Sequence, residues 1–288
     1  MATESIQDIK RRIKSVSSTE RITNSMKLVS AGKLRRAKAI FEETNENSHF
    51  ITNTISELFN SGEDVPQEYL EGSREIKTTA YIVITSNRGL CGGFNSNVIK
   101  RAQAEIDADW EPPVVITVGQ KCKDYFEKRG YEICDEFLTP PESVTFLQAK
   151  ELVIPIIEKY NNKEIDEVML ISTEFKSAME QEVRVETILP FKIEKNPDIN
   201  KVQKRVDYEP SVDVVFNYLI PKYVEMKVYS AIVESAACEH AARRMAMENA
   251  TDNAREMLDT LNLNYNRARQ SAITNEIIEI VAGSEAQN

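Results

Sequence analysis

The chain of 288 residues has only two histidines, His49 and His240, and only four cysteines. Cys91, Cys122, Cys134 and Cys238 lie far apart, and none forms a C-x-x-C pair. This scarcity argues against a zinc site and against a disulfide framework, and it fits free thiols in a reducing compartment. No Ser-His-Asp or Cys-His nucleophile can be assembled from so few histidines. No apolar run approaches the ~18 residues of a membrane span. The opening MATESIQDIKRR lacks the apolar centre of a secretion signal, so none is expected. The net charge of −10 argues against general nucleic-acid binding. Acidic pairs such as Glu42–Glu43 and Glu63–Asp64 read as solvated, and no catalytic constellation emerges.

Glycine and proline are missing where the chain is longest without interruption. Residues 2–60 contain no proline and one glycine, Gly32; residues 211–282 contain one proline, Pro221, and no glycine. Each stretch reads as one long helix. At 1.5 Å per residue the two would run roughly 85 and 105 Å, too long for both to lie on one compact domain. Each carries a partner-seeking stripe. In the second, Val212, Val215, Leu219, Tyr223, Met226, Ser230, Val233, Ala237 and His240 step by three and four, a coiled-coil seam. His240 therefore reads as packed. Past Arg244 the seam resumes at Ala250, Ala254, Met257, Leu261, Tyr265, Ala268 and Ala272, at a longer mean step that relaxes the supercoil. In the first, Ile6, Ile9, Ile13 and Val16 are followed by Ile22, Met26 and Val29, then Ile51, Ile55 and Leu58. Antiparallel pairing of the two is the simplest solution. Ala236, Ala237, Ala241, Ala242, Ala250 and Ala254 permit close approach, and Pro221 is expected to kink or restart its helix.

Between these ends the pattern changes. TTAYIVIT (78–85), VVITVG (114–119), YEICDEF (131–137) and EVMLIST (167–173) read as strands. Residues 97–108, 121–129 and 145–160 read as helices. The alternation predicts a mostly parallel sheet with helices on its faces. QEVRVETILPF (181–191) reads as an added strand that Pro190 ends or marks as an edge. The architecture expected is an antiparallel coiled coil of the N- and C-terminal helices with an inserted Rossmann-like α/β domain. Its parts are residues 1–60 for the first helix, 61–76 for a linker, 77–206 for the α/β domain and 207–288 for the second helix.

The stretch ITSNRGLCGGFNSNVIK (84–100) has a strand–glycine loop–helix layout, with Asn95 or Ser96 as N-cap. Its spacing is neither G-x-x-x-x-G-K-[ST] nor G-x-G-x-x-G, and Arg88 is the only nearby cation. A tight turn with positive φ explains it better than a phosphate cradle. Between Ile9 and Ala39 the first helix carries ten basic residues against the single acid Glu20. That imbalance fits an acidic partner surface.

Four stretches carry a resemblance to a family. IKRRIKSVSSTERITNSMKLVSAGKLRRA (9–37), SNRGLCGGFN (86–95), EHAARRMAMENATDNA (239–254) and YNRARQSAITNEIIEIVAGSEA (265–286) resemble the gamma subunit, the central-stalk rotor, of rotary ATP synthases. The last holds the pattern Ile-Thr-x-Glu-x-x-Glu-x-x-x-Gly-Ala as Ile273, Thr274, Glu276, Glu279 and Gly283, with Ser284 in place of the alanine. The resemblance implies a noncatalytic shaft without cofactor or metal. Its partners are the alpha and beta subunits of the catalytic hexamer, the epsilon subunit and the membrane c-ring. It implies a peripheral protein on the cytoplasmic face of the bacterial inner membrane. Matched to the family motif, Arg243, Arg269, Gln270, Thr274 and Glu276 would touch a catch loop of beta. Met26 and Lys27 would lie near its acidic lever, and Tyr208 and Glu209 at the foot on the ring beside epsilon. IIEIVAG (277–283) would be the rod end turning in an apolar sleeve. An α/β enzyme with helical arms and a static coiled-coil scaffold are the competing readings.

Overall fold

The computed structural model describes residues 5–60, 66–72, 75–109, 113–137, 139, 143–192, 209 and 211–285. The long helices are α1 (Ile6–Asn60) and α5 (Val212–Glu285). Between them come β1 (Thr79–Ile84), α2 (Phe94–Ala108), β2 (Val114–Val118), α3 (Gln120–Glu127), β3 (Ile133–Phe137), α4 (Phe146–Asn161), β4 (Glu167–Phe175) and β5 (Gln181–Leu189). The strands form one sheet in the order β3-β2-β1-β4-β5. The first four strands are parallel and β5 runs antiparallel at the edge, stopping before Pro190.

Every residue of β1 is buried because both faces of the sheet are covered. The period of two along a strand divides the core. Ala80, Ile82 and Ile84 face a cluster with Ile116, Leu170, Val153 and Ile156 of α4 and Phe216, Val224 and Ile232 of α5. Tyr81 and Val83 face a second cluster with Val98 and Ala102 of α2 and Cys122 and Phe126 of α3. At the end of β2, Gly119 has φ +100°, and a Cβ there would collide with the Thr85 carbonyl, so the β2–α3 turn requires glycine. Helix α4 opens with a capping box in which the Thr145 hydroxyl accepts from the Gln148 N–H and the Gln148 side chain accepts from the Thr145 N–H. Its Pro155, like Pro221 in α5, lies inside an unbroken helix. The expected restart at Pro221 is absent, since tertiary packing of Ile220, Tyr223 and Val224 holds the turn together.

Helix α2 starts at Phe94 with Gly93 at its N-cap and no side-chain cap. This replaces the expected cap at Asn95 or Ser96. The Asn95 side-chain oxygen instead accepts from the Ser86 N–H, across the loop.

The chain forms two units, Met1–Ser30 with Arg244–Asn288, and Ala31–Arg243. In the first unit, Glu20, Thr23 and Lys27 of α1 meet Arg255, Thr251 and Glu248 of α5. One numbering rises as the other falls, so the pair is antiparallel. In the second unit the direction is the same: Leu34 and Ala37 cluster with Ala241, Ala237 and Ala236, and Phe59 packs on Phe216 with ring centres 4.9 Å apart. Alanines give the α5 surface no bulk at that crossing.

The seam differs from the sequence expectation. On α1 the buried face passes through Ile9, Thr23, Ser30, Leu34, Ala37, Thr44, Ser48, Ile55 and Phe59, while Ile22 and Val29 are 57% and 60% exposed. On α5 it passes through Met247, Thr251, Ala254 and Leu261, with Leu258, Tyr265, Ala268 and Ala272 half-buried, and Met257 is exposed. Steps of four and three alternate along this set, so the 3.5-residue period does not lengthen. The expected relaxation came from counting Ala250 and Met257 as seam and overlooking Thr251. Hydroxyls at these positions satisfy themselves within the helix pair. The Thr251 hydroxyl donates to that of Thr23 at 2.8 Å, and the Thr23 hydroxyl donates to the Glu20 carbonyl at 3.0 Å.

Candidate partner-contact surface and a closed switch point

In an open α/β sheet ligands enter beyond the carboxyl ends of the strands, where the strand order reverses. Here that point lies between β1 and β4, and the glycine loop leaves β1 at it. The loop is a compact turn. Leu90 has φ 63° and Gly92 φ 58°, the left-handed region expected there. The Asn95 amide and the Ser86 hydroxyl both donate to the Arg88 carbonyl.

Helix α5 fills this mouth. The last β4 residue paired with β1 is Ile171. Beyond it, the Thr173 N–H donates to the Ser235 hydroxyl at 3.5 Å, the Cys238 thiol donates to the Thr173 carbonyl, and the Phe175 N–H donates to the Glu234 carboxylate at 2.9 Å. Arg243 reaches the loop. Its guanidinium donates to the Arg88 carbonyl at 3.4 Å and the Gly89 carbonyl at 3.3 Å, and pairs with Glu239 at 2.7 Å. Within that pair Glu239 is buried and Arg243 is half-buried, with side-chain exposures of 5% and 12%. Cys91, Phe94 and Cys238 pack beside them. Burial pushes the Cys91 and Cys238 thiols up, and burial also raises the Glu234 carboxyl, partly offset by the Phe175 N–H. Ser235, Glu234, Glu239 and Arg243 were not combined with the loop by sequence reasoning. The one legible signal was the Glu239–Arg243 spacing of four.

The remaining contact residues sit in the first unit, on a different pattern. Arg269, Gln270, Thr274 and Glu276 are all exposed. At 100° per residue they fall within roughly 160° of helix circumference, on the side that also carries Ile273, Ile277 and Ile280. Ile273, Ile277, Ile278, Ile280 and Val281 are exposed apolar residues at the α5 terminus. Met26 is half-buried, and Lys27 is held 3.8 Å from Glu248, with 23% exposure. Helix α5 thus neutralises Lys27 through Glu248, whereas its Arg255 pairs with Glu20, the one acid of that basic stretch, at 3.1 Å and neutralises none of the other bases. Arg21, Arg35 and Arg36 stay exposed. Arg243 belongs to the second unit and points inward, apart in kind from the exposed set. Glu209 is exposed, whereas Tyr208 lies outside the described residues. Among the described residues no cluster of His, Cys, Asp and Glu could hold a metal, and no helix is long and apolar enough to cross a membrane.

Comparison with solved structures gives the class. The chain matches the rotor of the Euglena gracilis mitochondrial ATP synthase with TM-score 0.67, at 17% identity over 93% of this chain and 98% of that one. It matches a chain of the Tetrahymena thermophila mitochondrial ATP synthase central stalk and c-ring with TM-score 0.62, at 23% identity over 80% of this chain and 99% of that one. These likenesses define the fold, that of central-stalk chains with a two-helix coiled coil and a Rossmann-like domain. Sequence carries the family. The model of the family described as ATP synthase matches residues 5–287. The ATP synthase gamma chain of Alkaliphilus metalliredigens is 44% identical over 285 residues, 98% of each chain. That of Desulforamulus reducens is 43% identical over 284 residues, 98% of this chain and 99% of the relative. A sodium-ion-specific gamma chain from Acetobacterium woodii is 40% identical over 302 residues, 99% of each. The chain belongs to the ATP synthase gamma chain family.

Proposed function

We propose that the protein is the noncatalytic rotor shaft of an ATP synthase, peripheral on the cytoplasmic face of a bacterial inner membrane. It couples ion-driven rotation of the membrane c-ring to sequential changes in the surrounding alpha and beta subunits. One asymmetric rod inside a ring of three identical partners cannot offer all three the same contacts. Each partner settles where the differential free energy of its contacts puts it. Turning the rod moves every partner through the same series of states, and linkage makes hydrolysis drive the rod in return.

The observation that carries this reading is the end-to-end match to gamma chains, joined to an antiparallel α1–α5 pair whose α5 terminus is apolar and exposed. Arg269, Gln270, Thr274 and Glu276 meet the catch loop of a beta subunit, where a guanidinium makes charge-assisted hydrogen bonds to acidic and carbonyl groups. Met26, Lys27 and the exposed bases nearby face an acidic lever of beta. The isoleucine-rich terminus turns in an apolar sleeve, where non-directional contacts impose little angular barrier. Arg243 serves beta from a position already engaged within the chain, and Tyr208 and Glu209 meet the c-ring and the epsilon subunit. Catalytic sites lie on the partners, a reading supported by the occupation of the switch point by α5.

Affinity purification of the chain from its host tests the assignment. One copy should appear with three copies each of two larger chains that hydrolyse ATP. Recovery of the chain alone or as a homo-oligomer, with micromolar ATP binding of its own, favours the enzyme reading instead.

A further inference from the structure

We infer that the glycine loop is a cradle for a guanidinium of the same chain, and that Arg243 is a positioning residue locking the α/β domain onto α5. The inference rests on the rotor reading above and assigns a task to a loop that the reading leaves idle.

The polarity of the loop carries the argument. A phosphate cradle offers N–H groups at a helix N-terminus. This loop offers the carbonyls of Arg88 and Gly89 to the mouth, and both accept from the Arg243 guanidinium. Their orientation is fixed from behind. Asn95 is held by the Ser86 N–H, Leu90 takes a left-handed backbone, and the Ser86 hydroxyl bonds the Arg88 carbonyl at 2.6 Å. Glu239 supplies the charge partner, 2.7 Å from Arg243, and would repel an anion entering the same place. All three acceptors meet one guanidinium nitrogen, Nη2, and share its two N–H groups, while Nη1 lies 3.4 Å from Nδ1 of His240. Roughly one and a half to two and a half turns before Arg243, Cys238, Ser235 and Glu234 fasten the end of β4 to the same helix. The domain is thereby gripped at β1 and at β4, the two strands that flank the switch point. In a rotor, a domain held at one strand alone could yield under load, so that the helix turns without its full effect on the foot.

The test uses the assembled complex carrying Arg243→Gln, Arg243→Lys or Asn95→Ala. Hydrogen exchange is followed across residues 86–95, and ion pumping is measured per ATP hydrolysed, with the KM for ATP as a third readout. Arg243→Gln should speed exchange of the loop about fivefold or more, the effect of losing a charge-assisted contact. It should also lower pumping per ATP; in Asn95→Ala, outside the proposed partner contacts, the KM should stay unchanged. Arg243→Lys should fall nearer the parent chain. Asn95→Ala, which leaves α5 untouched, should reproduce both changes from the loop side and stands in if the arginine variants fail to assemble. Unchanged loop exchange in Arg243→Gln and Asn95→Ala overturns the clamp. Faster exchange with unaltered pumping per ATP overturns the positioning role. Failure of the unsubstituted chain to assemble with catalytic partners strikes the rotor reading instead.

Discussion

The hydroxyl of Thr251 lies 2.8 Å from that of Thr23, across the helix pair and fully out of water. Glu20 with Arg255 and Lys27 with Glu248 flank this contact on the next layers. A polar layer in a coiled-coil seam selects register at some cost in stability. Thr251→Val should therefore destabilise the chain by about 1 kcal/mol, since it leaves the Thr23 hydroxyl in an apolar seam with one partner fewer. The double variant with Thr23→Val should cost less than the sum of the two single changes. Thermal unfolding of the four chains checks this. Simple additivity speaks against a coupled pair.

Exposed contact residues and buried ones should separate cleanly. Arg269→Ala with Gln270→Ala removes exposed side chains, so unfolding of the chain should change by no more than about 0.5 kcal/mol. In the assembled complex the same change should reduce ATP turnover by about fivefold or more, the loss expected when a contact of about 1 kcal/mol disappears. Unchanged turnover removes these residues from the contact surface.

Glu234 gives a pH dependence with a definite sign. Burial raises its carboxyl, so the folded chain holds that proton more tightly than the unfolded one. Its contribution to stability is greatest below the ordinary carboxylate range and declines as pH rises through the raised value. Glu234→Gln keeps an acceptor for the Phe175 N–H and drops the buried charge. At neutral pH it should stabilise by up to about 1 kcal/mol. The difference between the two chains should shrink as pH falls toward the ordinary carboxylate range. Denaturant midpoints across pH measure it, and a constant difference contradicts the cause assigned.

Thiol chemistry should follow burial. Cys122 is fully buried and its thiol is pushed up to about 11, whereas Cys134 is exposed on the edge strand β3 beside Lys159. A maleimide should label Cys134 alone in the folded chain and all four cysteines in denaturant. Rapid labelling of Cys91 or Cys238 in the folded chain contradicts the closed switch point.

Much of this fold was legible because the governing signals are local. Strands such as 114–118 and helices such as 146–161 lie within a residue or two of their expected bounds, since apolar runs and capping chemistry set them. The seam was harder. Thr23, Ser30, Thr44 and Ser48 are buried in it, while Ile22 and Val29 are exposed, so ranking positions by hydropathy chose the wrong face over part of each helix. Position in the 3.5 repeat mattered more than side-chain type. The closed switch point was invisible for a different reason. Arg243 and Arg88 lie far apart in sequence, and their contact depends on where α5 crosses the sheet. The need for glycine at 119 arises likewise from the distant Thr85.

The most direct measurement uses Cys134. A bead or gold particle attached through that exposed thiol, on a complex immobilised by its catalytic subunits, reports the motion of this chain when ATP is added. Unidirectional rotation with three dwells per turn, one for each partner copy, is the expected result. Continued ATP hydrolysis with the particle held still, or wandering without direction, contradicts a rotating shaft.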